Sequence, residues 1–191
     1  MDYMKTPRRL SFAAVFLALV MNTAAAYAQT PEGKPVLGPV DTYFVTQTSL
    51  GTPFQTDAGR IAASKGTTEA IRSYAQLMES SHIAVNDALL AVLKNKGPVP
   101  PPTLLKAAYA TMIWDLQHET GQVFDAEYVT GQVDYQKANA ALYQYEIANG
   151  SDSDLKAFAQ QTLPKIQDHL ERALKLQSAV KFTKNVPRRA P

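Results

Sequence analysis

Residues 68–95, TEAIRSYAQLMESSHIAVNDALLAVLKN, indicate a helical fold, because their apolar side chains recur at the three- and four-residue spacing of an amphipathic helix. A stripe of this kind is buried when a helix packs against neighbouring helices. The residues of the stripe are Ile71, Tyr74, Ala75, Met78, His82, Val85 and Leu89. One of them is a histidine, and Glu79 precedes it at the Glu-x-x-His spacing that builds metal sites inside helical bundles.

Four other stretches carry the same periodicity, and we find no alternating stretch bounded by turn residues that would indicate a strand. The predicted helices cover residues 40–64, 68–95, 103–119, 122–148 and 152–181. Short connections between long helices indicate that neighbours run antiparallel. The sequence therefore predicts an all-α fold, an antiparallel four-helix bundle with a short extra helix between the second and third long helices.

Capping and breaking residues mark the ends of these helices. Thr67 or Thr68 is placed to cap the second helix, and Ser151 or Asp152 the last one. The tripeptide at 51–53, Gly-Thr-Pro, predicts a kink or break in the first helix. The prolines inside predicted helices are Pro53 and Pro164.

Composition excludes several classes of function. The chain has 191 residues, 46% of them hydrophobic, which is enough for one packed core. It contains no cysteine, so disulfides, thiol catalysis and cysteine-type zinc sites are excluded. It shows no basic face with interleaved aromatic residues, which argues against nucleic-acid binding. We find no Ser-His-Asp pattern, phosphate loop or nucleotide fingerprint, so the sequence favours a role without catalysis.

The first 28 residues have the three parts of a secretory signal peptide. MDYMKTPRRL is a short basic region, SFAAVFLALVM is an apolar run too short to span a bilayer, and Ala26-Tyr27-Ala28 fits the A-x-A cleavage pattern. We therefore expect a mature chain that begins at Gln29 and resides in the periplasm or cell envelope. Residues 29–39 then form a Pro/Gly linker, 40–181 the bundle and 182–191 a basic flexible tail.

The basic tail is the one feature that indicates a surface partner. Five basic residues and no acidic ones follow from Lys175 onward, a modest cluster that fits weak association with anionic membrane lipids or cell-wall polymers. A solubilising terminus explains the cluster equally well. The sequence leaves open whether the chain forms a homo-oligomer.

Inward-facing polar residues predict a common layer near the middle of the bundle. If the second and fourth long helices start at the same end, His82, His169 and Tyr135 lie roughly 21, 26 and 21 Å from that end at 1.5 Å per residue. Gln55 lies roughly 15 Å from it, one turn away. Asp57 is the carboxylate nearest the apolar stripe of the first helix.

Two interpretations of this layer stay open. Imidazole, phenol and amide or carboxylate groups can bind a transition metal ion, of which iron, zinc, copper and manganese are the candidates. Glu79 would then orient the imidazole of His82 from the next turn of the helix. Alternatively, buried polar groups satisfy one another in a hydrogen-bonded network without an ion.

The sequence also resembles the bacterial ferritin-like family of unknown function whose members are often described as predicted outer membrane proteins. The resemblance covers Asp41 to Leu176 and is carried by GRIAASKGTTEAIRSYAQLMESSHIAVNDALLAVL and FDAEYVTGQVDYQKANAALYQYEIANGSDSDLKAFAQQTLPKIQDHLERALKL. It implies a ferritin-like bundle in the cell envelope and no particular reaction. Its most specific pieces are Gly59-Arg60-Ile61-Ala62, Met78 with His82, Phe124-Asp125 with Tyr128, and Leu163-Pro164 with His169-Leu170.

The chain departs from that family at three polar positions. The resemblance implies a glutamate where Gln55 stands, an aspartate where Ser81 stands and a histidine where Tyr135 stands. His82 and His169 remain, so a metal, if bound, would have fewer charged ligands than in the family. Asp125, within one of the shared motifs, is a further alternative ligand.

Overall fold

The computed structural model describes residues 36–97 and 105–180, and most of these residues are helical. Five helices follow one another, four long and one short, and the described residues contain no strand. They are α1 (Pro39–Lys65), α2 (Glu69–Leu93), α3 (Leu105–His118), α4 (Gly121–Asn149) and α5 (Ser153–Ala179). The predicted all-α bundle with a short extra helix is confirmed. The predicted signal peptide, most of the linker and the basic tail lie outside the described residues.

The helix ends follow from side-chain capping and one unusual backbone angle. The Thr68 hydroxyl accepts a hydrogen bond from the backbone N–H of Ile71 at 3.3 Å, and the Asp152 carboxylate accepts one from the N–H of Leu155 at 3.1 Å. Each therefore satisfies an otherwise orphan donor of the first helical turn. Gly121 has φ of 61°, a left-handed conformation that glycine adopts readily, and α4 begins there.

Of the kink or break predicted at residues 51–53, the break is wrong and the kink stays a prediction. Helix α1 continues through Gly51, Thr52 and Pro53 to Lys65, and α5 likewise continues through Pro164. A proline inside a helix costs about 3 kcal/mol relative to alanine. Helix α1 packs against α2 and α4 along its length, and burial of apolar side chains on both sides of the proline offsets that cost.

The order of the helices in the bundle differs from a simple up-and-down arrangement. Helix α2 packs against α1 and α5, and α4 packs against α1 and α5. Lys96, just after α2, forms ion pairs at 2.7 Å with Asp152 and Asp154 at the start of α5. Helices α2 and α5 are therefore antiparallel neighbours, and the assumption that they start at the same end is wrong.

A long crossover connection produces this arrangement. Lys65, at the end of α1, donates hydrogen bonds of 2.8 Å to the carbonyls of Leu116 and Gln117 at the end of α3. Helix α4 therefore starts at the end of the bundle where α1 ends, which is the end opposite to the last turn of α2. The segment that connects α2 to α4 thus joins opposite ends of the bundle. One long crossover between antiparallel hairpins is the connectivity of ferritin-like folds. All neighbouring long helices in the bundle remain antiparallel, as predicted.

The apolar core is divided into two clusters by a polar layer. One cluster includes Ile71, Tyr74, Met78 and Phe124, and the other includes Phe44, Leu89, Leu155 and Phe158. Between them along the helices lie buried polar side chains from all four long helices. The members of this central polar layer are Gln55, Ser81, His82, Gln132, Tyr135, Gln136 and His169.

A second buried polar group closes one end of the bundle. The Asp41 carboxylate accepts hydrogen bonds from the backbone N–H groups of Ser151 at 2.9 Å and Asp152 at 3.0 Å, and also from the Ser151 hydroxyl. Glu146, also fully buried, adjoins Asp41. This carboxyl pair ties the first turn of α1 to the connection between α4 and α5.

Within residues 36–97 and 105–180, no helix combines the length and the apolar character needed to cross a membrane.

Candidate functional site

The central polar layer brings together the three aromatic and imidazole rings that the sequence placed there. The His82 ring of α2 lies 5.7 Å from the Tyr135 ring of α4 and 6.1 Å from the His169 ring of α5, measured between centroids. Only 5% of His82 and 3% of His169 are exposed. The predicted layer therefore forms, although its helices are connected differently than expected. The layer forms with either connectivity because residues near the middle of a helix lie at the same height in the bundle whichever way that helix runs.

Serine and tyrosine side chains of α2 hold the last helix at this height. The Ser81 hydroxyl lies 3.2 Å from Nε2 of His169, and the Tyr74 hydroxyl donates a hydrogen bond to the backbone carbonyl of His169 at 3.2 Å. The first contact defines the orientation of the imidazole. Ser81, where the family resemblance implies an acid, thus contacts the histidine as a neutral hydroxyl.

Two glutamines of α4 complete the layer, and sequence reasoning missed both. Gln132 donates from Nε2 to Oε1 of Gln55 at 3.0 Å, and Gln136 donates from Nε2 to the thioether sulfur of Met78 at 3.3 Å. They are four residues apart and lie on one face of α4. The four-residue spacing of these glutamines could have indicated a shared buried face. However, a polar pair at this spacing usually lies on a solvent-exposed face of a helix.

Tyr135 packs against a glycine of α1. A Cβ atom added at Gly51 would overlap the Tyr135 hydroxyl and come within 3.3 Å of its ring carbon Cζ. The Phe54 ring lies 5.6 Å from the Tyr135 ring on the same side. Gly51 therefore provides the space that the phenol occupies between α1 and α4.

Burial keeps the ionisable groups of the layer neutral. Desolvation, with a smaller effect of His169, lowers the pKa of His82 to about 3. Desolvation also lowers the pKa of His169 to about 4, although Asp168 acts in the opposite direction. The pKa of the Tyr135 phenol is raised well above its usual value by burial. Both histidines are thus neutral imidazoles at physiological pH, with ring nitrogens available as donors or acceptors.

The acidic candidates lie away from the layer. Asp57 and Glu79 both pair with Arg60, at 3.6 and 3.3 Å, and side-chain exposure of Asp57 is 55%. Glu79 pairs with Arg60 across α1 and α2, with 29% of its side chain exposed, and its predicted role in orienting His82 stays a prediction. The Asp125 carboxylate accepts hydrogen bonds from the backbone N–H of Thr67, at 3.1 Å, and from its hydroxyl, so it joins α4 to the connection before α2.

The donor set does not fit a di-iron site. Di-iron bundles use glutamates from all four helices together with two histidines. Across the described ranges, no three histidine, aspartate or glutamate side chains come together as a metal-binding group. The layer instead offers neutral donors, namely two imidazoles, a phenol, three amides and a hydroxyl. The thioether of Met78, in the neighbouring apolar cluster, contacts the layer through Gln136.

Some polar atoms of the layer have no hydrogen-bond partner among the described residues. These atoms are Nε2 of His82, Nδ1 of His169 and one amide atom each of Gln55, Gln132 and Gln136, all of them buried. Buried polar atoms are paired in the great majority of cases, so unpaired atoms that cluster call for an explanation such as a bound ion or water. Chemically, the layer can coordinate or hydrogen-bond, but it has no charged base and no activated nucleophile.

The chain is similar to one family of protein sequences and to a solved structure. A family model described as "Domain of unknown function (DUF4142)" matches residues 24–176. No curated protein sequence matches the chain. Among solved structures, a DUF305 fragment from Deinococcus radiodurans is similar over 76% of this chain and 99% of its own, with a TM-score of 0.67. Its sequence identity is 12%, so the similarity shows the fold alone.

Proposed function

We propose that this chain, which belongs to the DUF4142 family of domains of unknown function, is an exported bundle protein of the cell envelope that acts by binding rather than by catalysis. The observation that carries the proposal is the character of the central polar layer. Its side chains are neutral, buried and directed at one another, whereas acid–base and nucleophilic catalysis require groups that exchange protons with a substrate. A stress-related role for such a binding protein is part of the same proposal.

Export is supported by the N-terminal sequence. The basic start, the apolar run and the small residues before Gln29 have the order of a cleaved secretory signal. The family resemblance to predicted outer membrane proteins supports the same compartment. The basic tail would then be placed to touch anionic lipid or cell-wall polymer.

The experiment is to express the full chain in a bacterium and to measure the intact mass of the protein in each cell fraction. We expect the periplasmic protein to begin at Gln29. Substitution of Ala28 by leucine should prevent cleavage, whereas Ala14→Leu, in the apolar run, should not. Full-length, uncleaved protein in the cytoplasm would contradict the proposal.

Metal binding by the inward-facing histidines is the second candidate function. The specific observation in its favour is that His82 and His169 face each other from different helices and that each has a buried, unpartnered ring nitrogen. Tyr135 and Gln55 would complete the surroundings of an ion in this layer. Such a protein would store an ion or protect against oxidative stress.

Elemental analysis of untagged protein from the periplasm tests this second function. We expect close to one equivalent of iron, zinc, copper or manganese, lost in a His82→Ala, His169→Ala pair and retained in His118→Ala. His118 is exposed and stacks on Trp114, so it serves as the matched control. Folded protein without metal, which still takes up none when metal is added, would exclude this function.

A further inference from the structure

We propose that the central polar layer binds one soft monovalent metal ion of the Cu(I) type, held by His82 and His169 with the thioether of Met78 as a third donor. The inference rests on the second function proposed above and names its ion and its ligands. It uses donors that come from α2 and α5 together, so that ion binding would join the two helical hairpins.

The distance between the two imidazoles fits a shared ion. With a metal–nitrogen bond of about 2.0 Å, two imidazoles on one ion have ring centroids roughly 5–6.3 Å apart, depending on the angle at the ion. The observed separation is 6.1 Å, close to the value for a nearly linear arrangement. Two-coordinate and three-coordinate geometries of this kind suit a closed-shell monovalent ion better than the tetrahedral preference of zinc.

The two imidazoles are also prepared as ligands. Nδ1 of His169 has no hydrogen-bond partner, whereas its Nε2 lies 3.2 Å from the Ser81 hydroxyl. A ligating histidine typically donates its other N–H to an oxygen, which fixes its tautomer and ring orientation. Ser81 stands in that position, and the buried Nε2 of His82 is the second unpartnered nitrogen.

Met78 is the one sulfur-bearing residue within α2, and it is buried on the same face of the helix as His82. It precedes His82 by four residues, a spacing that places both side chains next to each other on the helix surface. Its sulfur points toward α4, where Gln136 donates to it, and His82 faces the adjoining Tyr135 of α4. Thioether and imidazole together select Cu(I) over the harder divalent ions.

The charge of the layer decides between a monovalent and a divalent ion. No carboxylate lies in the layer: Glu79 pairs with Arg60, and Asp168, beside His169 in sequence, pairs at 2.7 Å with Arg172 on the surface. A buried ion would therefore keep its full charge. Because the Born cost of burial grows with the square of the charge, a divalent ion pays about four times the penalty of a monovalent one.

The test is an anaerobic titration of the untagged chain with Cu(I), in competition with a chromogenic Cu(I) chelator, and a parallel titration with Zn²⁺. We expect one Cu(I) per chain, bound in preference to Zn²⁺. The variants His82→Gln and His169→Gln should weaken binding by roughly a hundredfold, and Met78→Leu by roughly tenfold. Circular dichroism checks that each variant is folded, and the leucine substitution conserves core volume.

Two control variants isolate the site. His118→Gln and Met112→Leu change the same residue types on α3, outside the layer, and should leave Cu(I) affinity unchanged. Stoichiometric Zn²⁺ binding with weaker Cu(I) binding would overturn this inference while leaving metal binding itself intact. Binding of neither ion would overturn this inference, and so would Cu(I) binding that the two histidine variants leave unaffected. In the first case the second function would depend on iron or manganese, which the elemental analysis detects.

Discussion

At the scale of the residue, the molecule depends on a few buried polar side chains whose partners are specific. Asp41 accepts hydrogen bonds from three backbone N–H groups at one end of the bundle, and His169 is oriented by Ser81 at its middle. Burial and the hydrogen bonds counteract one another at Asp41, where the hydrogen bonds from Ser151 and Asp152 prevail and hold the pKa of that carboxyl below its usual value. Such groups stabilise the fold only in one protonation state.

Glu146 predicts a pH dependence of stability. Burial, followed by the Asp41 and Asp152 carboxylates, raises its pKa to about 8 from 4.5, and Lys156 opposes this only in part. Between these pH values the folded chain retains a proton that the unfolded chain has released, so this contribution to stability falls as the pH rises from 4.5 to 8. Glu146→Gln cannot ionise and keeps a donor for Asp41.

Thermal unfolding of Glu146→Gln at a series of pH values checks this prediction. We expect a variant close to the wild type at pH 5 and more stable than it by roughly 1–3 kcal/mol at pH 9. Glu171→Gln, an exposed glutamate on α5, should change stability little at either pH. Equal effects of Glu146→Gln at both pH values would contradict the raised pKa.

Gly51 predicts a steric effect confined to one contact. Gly51→Ala introduces a Cβ into the space of the Tyr135 hydroxyl and should destabilise the bundle by about 1–3 kcal/mol. Tyr135→Phe removes the hydroxyl and should recover much of that loss in the double variant. Gly131→Ala is the matched control, because its Cβ meets only Met112 Cε at 3.8 Å and should stabilise α4 slightly. Additive effects of the two substitutions in chemical denaturation would contradict the contact.

At the scale of the element, strongly amphipathic helices were predictable and weakly amphipathic ones were not. All seven predicted stripe residues of α2 are buried, and so are six of the seven that the same spacing selects in α5. In α4 the same spacing places Tyr145 on the buried face, but Tyr145 is exposed, whereas Gln132, Gln136 and Glu146 are buried. Periodicity alone cannot separate a buried polar residue from a solvated one, since the difference lies in the partner that another helix supplies.

The start of α5 predicts a measurable capping contribution. Asp152 caps this helix and also pairs with Lys96 beyond the end of α2, whereas Asp154 makes only the more exposed pair. Asp152→Ala should therefore cost about 1–2 kcal/mol. Asp152→Asn keeps the capping oxygen and should cost less, and Asp154→Ala should cost least. Urea denaturation measures the order, and an Asp154→Ala variant as unstable as Asp152→Ala would contradict this account.

At the scale of the whole molecule, the sequence predicted the four-helix bundle but not the direction in which its halves are joined. The predicted helix boundaries are compatible with two connections for the 26 residues between Leu93 and Thr120: one that stays at one end of the bundle and one that crosses to the other end. Ion pairs and hydrogen bonds at the helix ends, such as Lys96 with Asp152 and Lys65 with Gln117, define the crossover. Those contacts join residues that are far apart in sequence, so the periodicity and capping residues of single helices cannot predict them. The central layer was predictable because its members lie near the middle of their helices.

The crossover predicts which helix ends are close. The chain has no cysteine, so pairs of introduced cysteines can carry spin labels without interference. We expect a short distance between labels at positions 94 and 154, and a distance of about 36 Å or more between positions 94 and 178, since 24 residues or more of helix separate the two ends of the bundle. Pulsed electron paramagnetic resonance measures both distances. A long 94–154 distance and a short 94–178 distance would indicate the up-and-down arrangement instead.

The proposed ion site requires His82 and His169 to act as one ion-binding pair inside the bundle. Because the chain contains only three histidines, ¹⁵N labelling of histidine alone gives a spectrum with three imidazoles. On addition of one equivalent of Cu(I) under anaerobic conditions, the ring nitrogens of His82 and His169 should shift together while those of His118 stay unchanged. A shift of His118 alone, or no shift of any of the three, would contradict the claim.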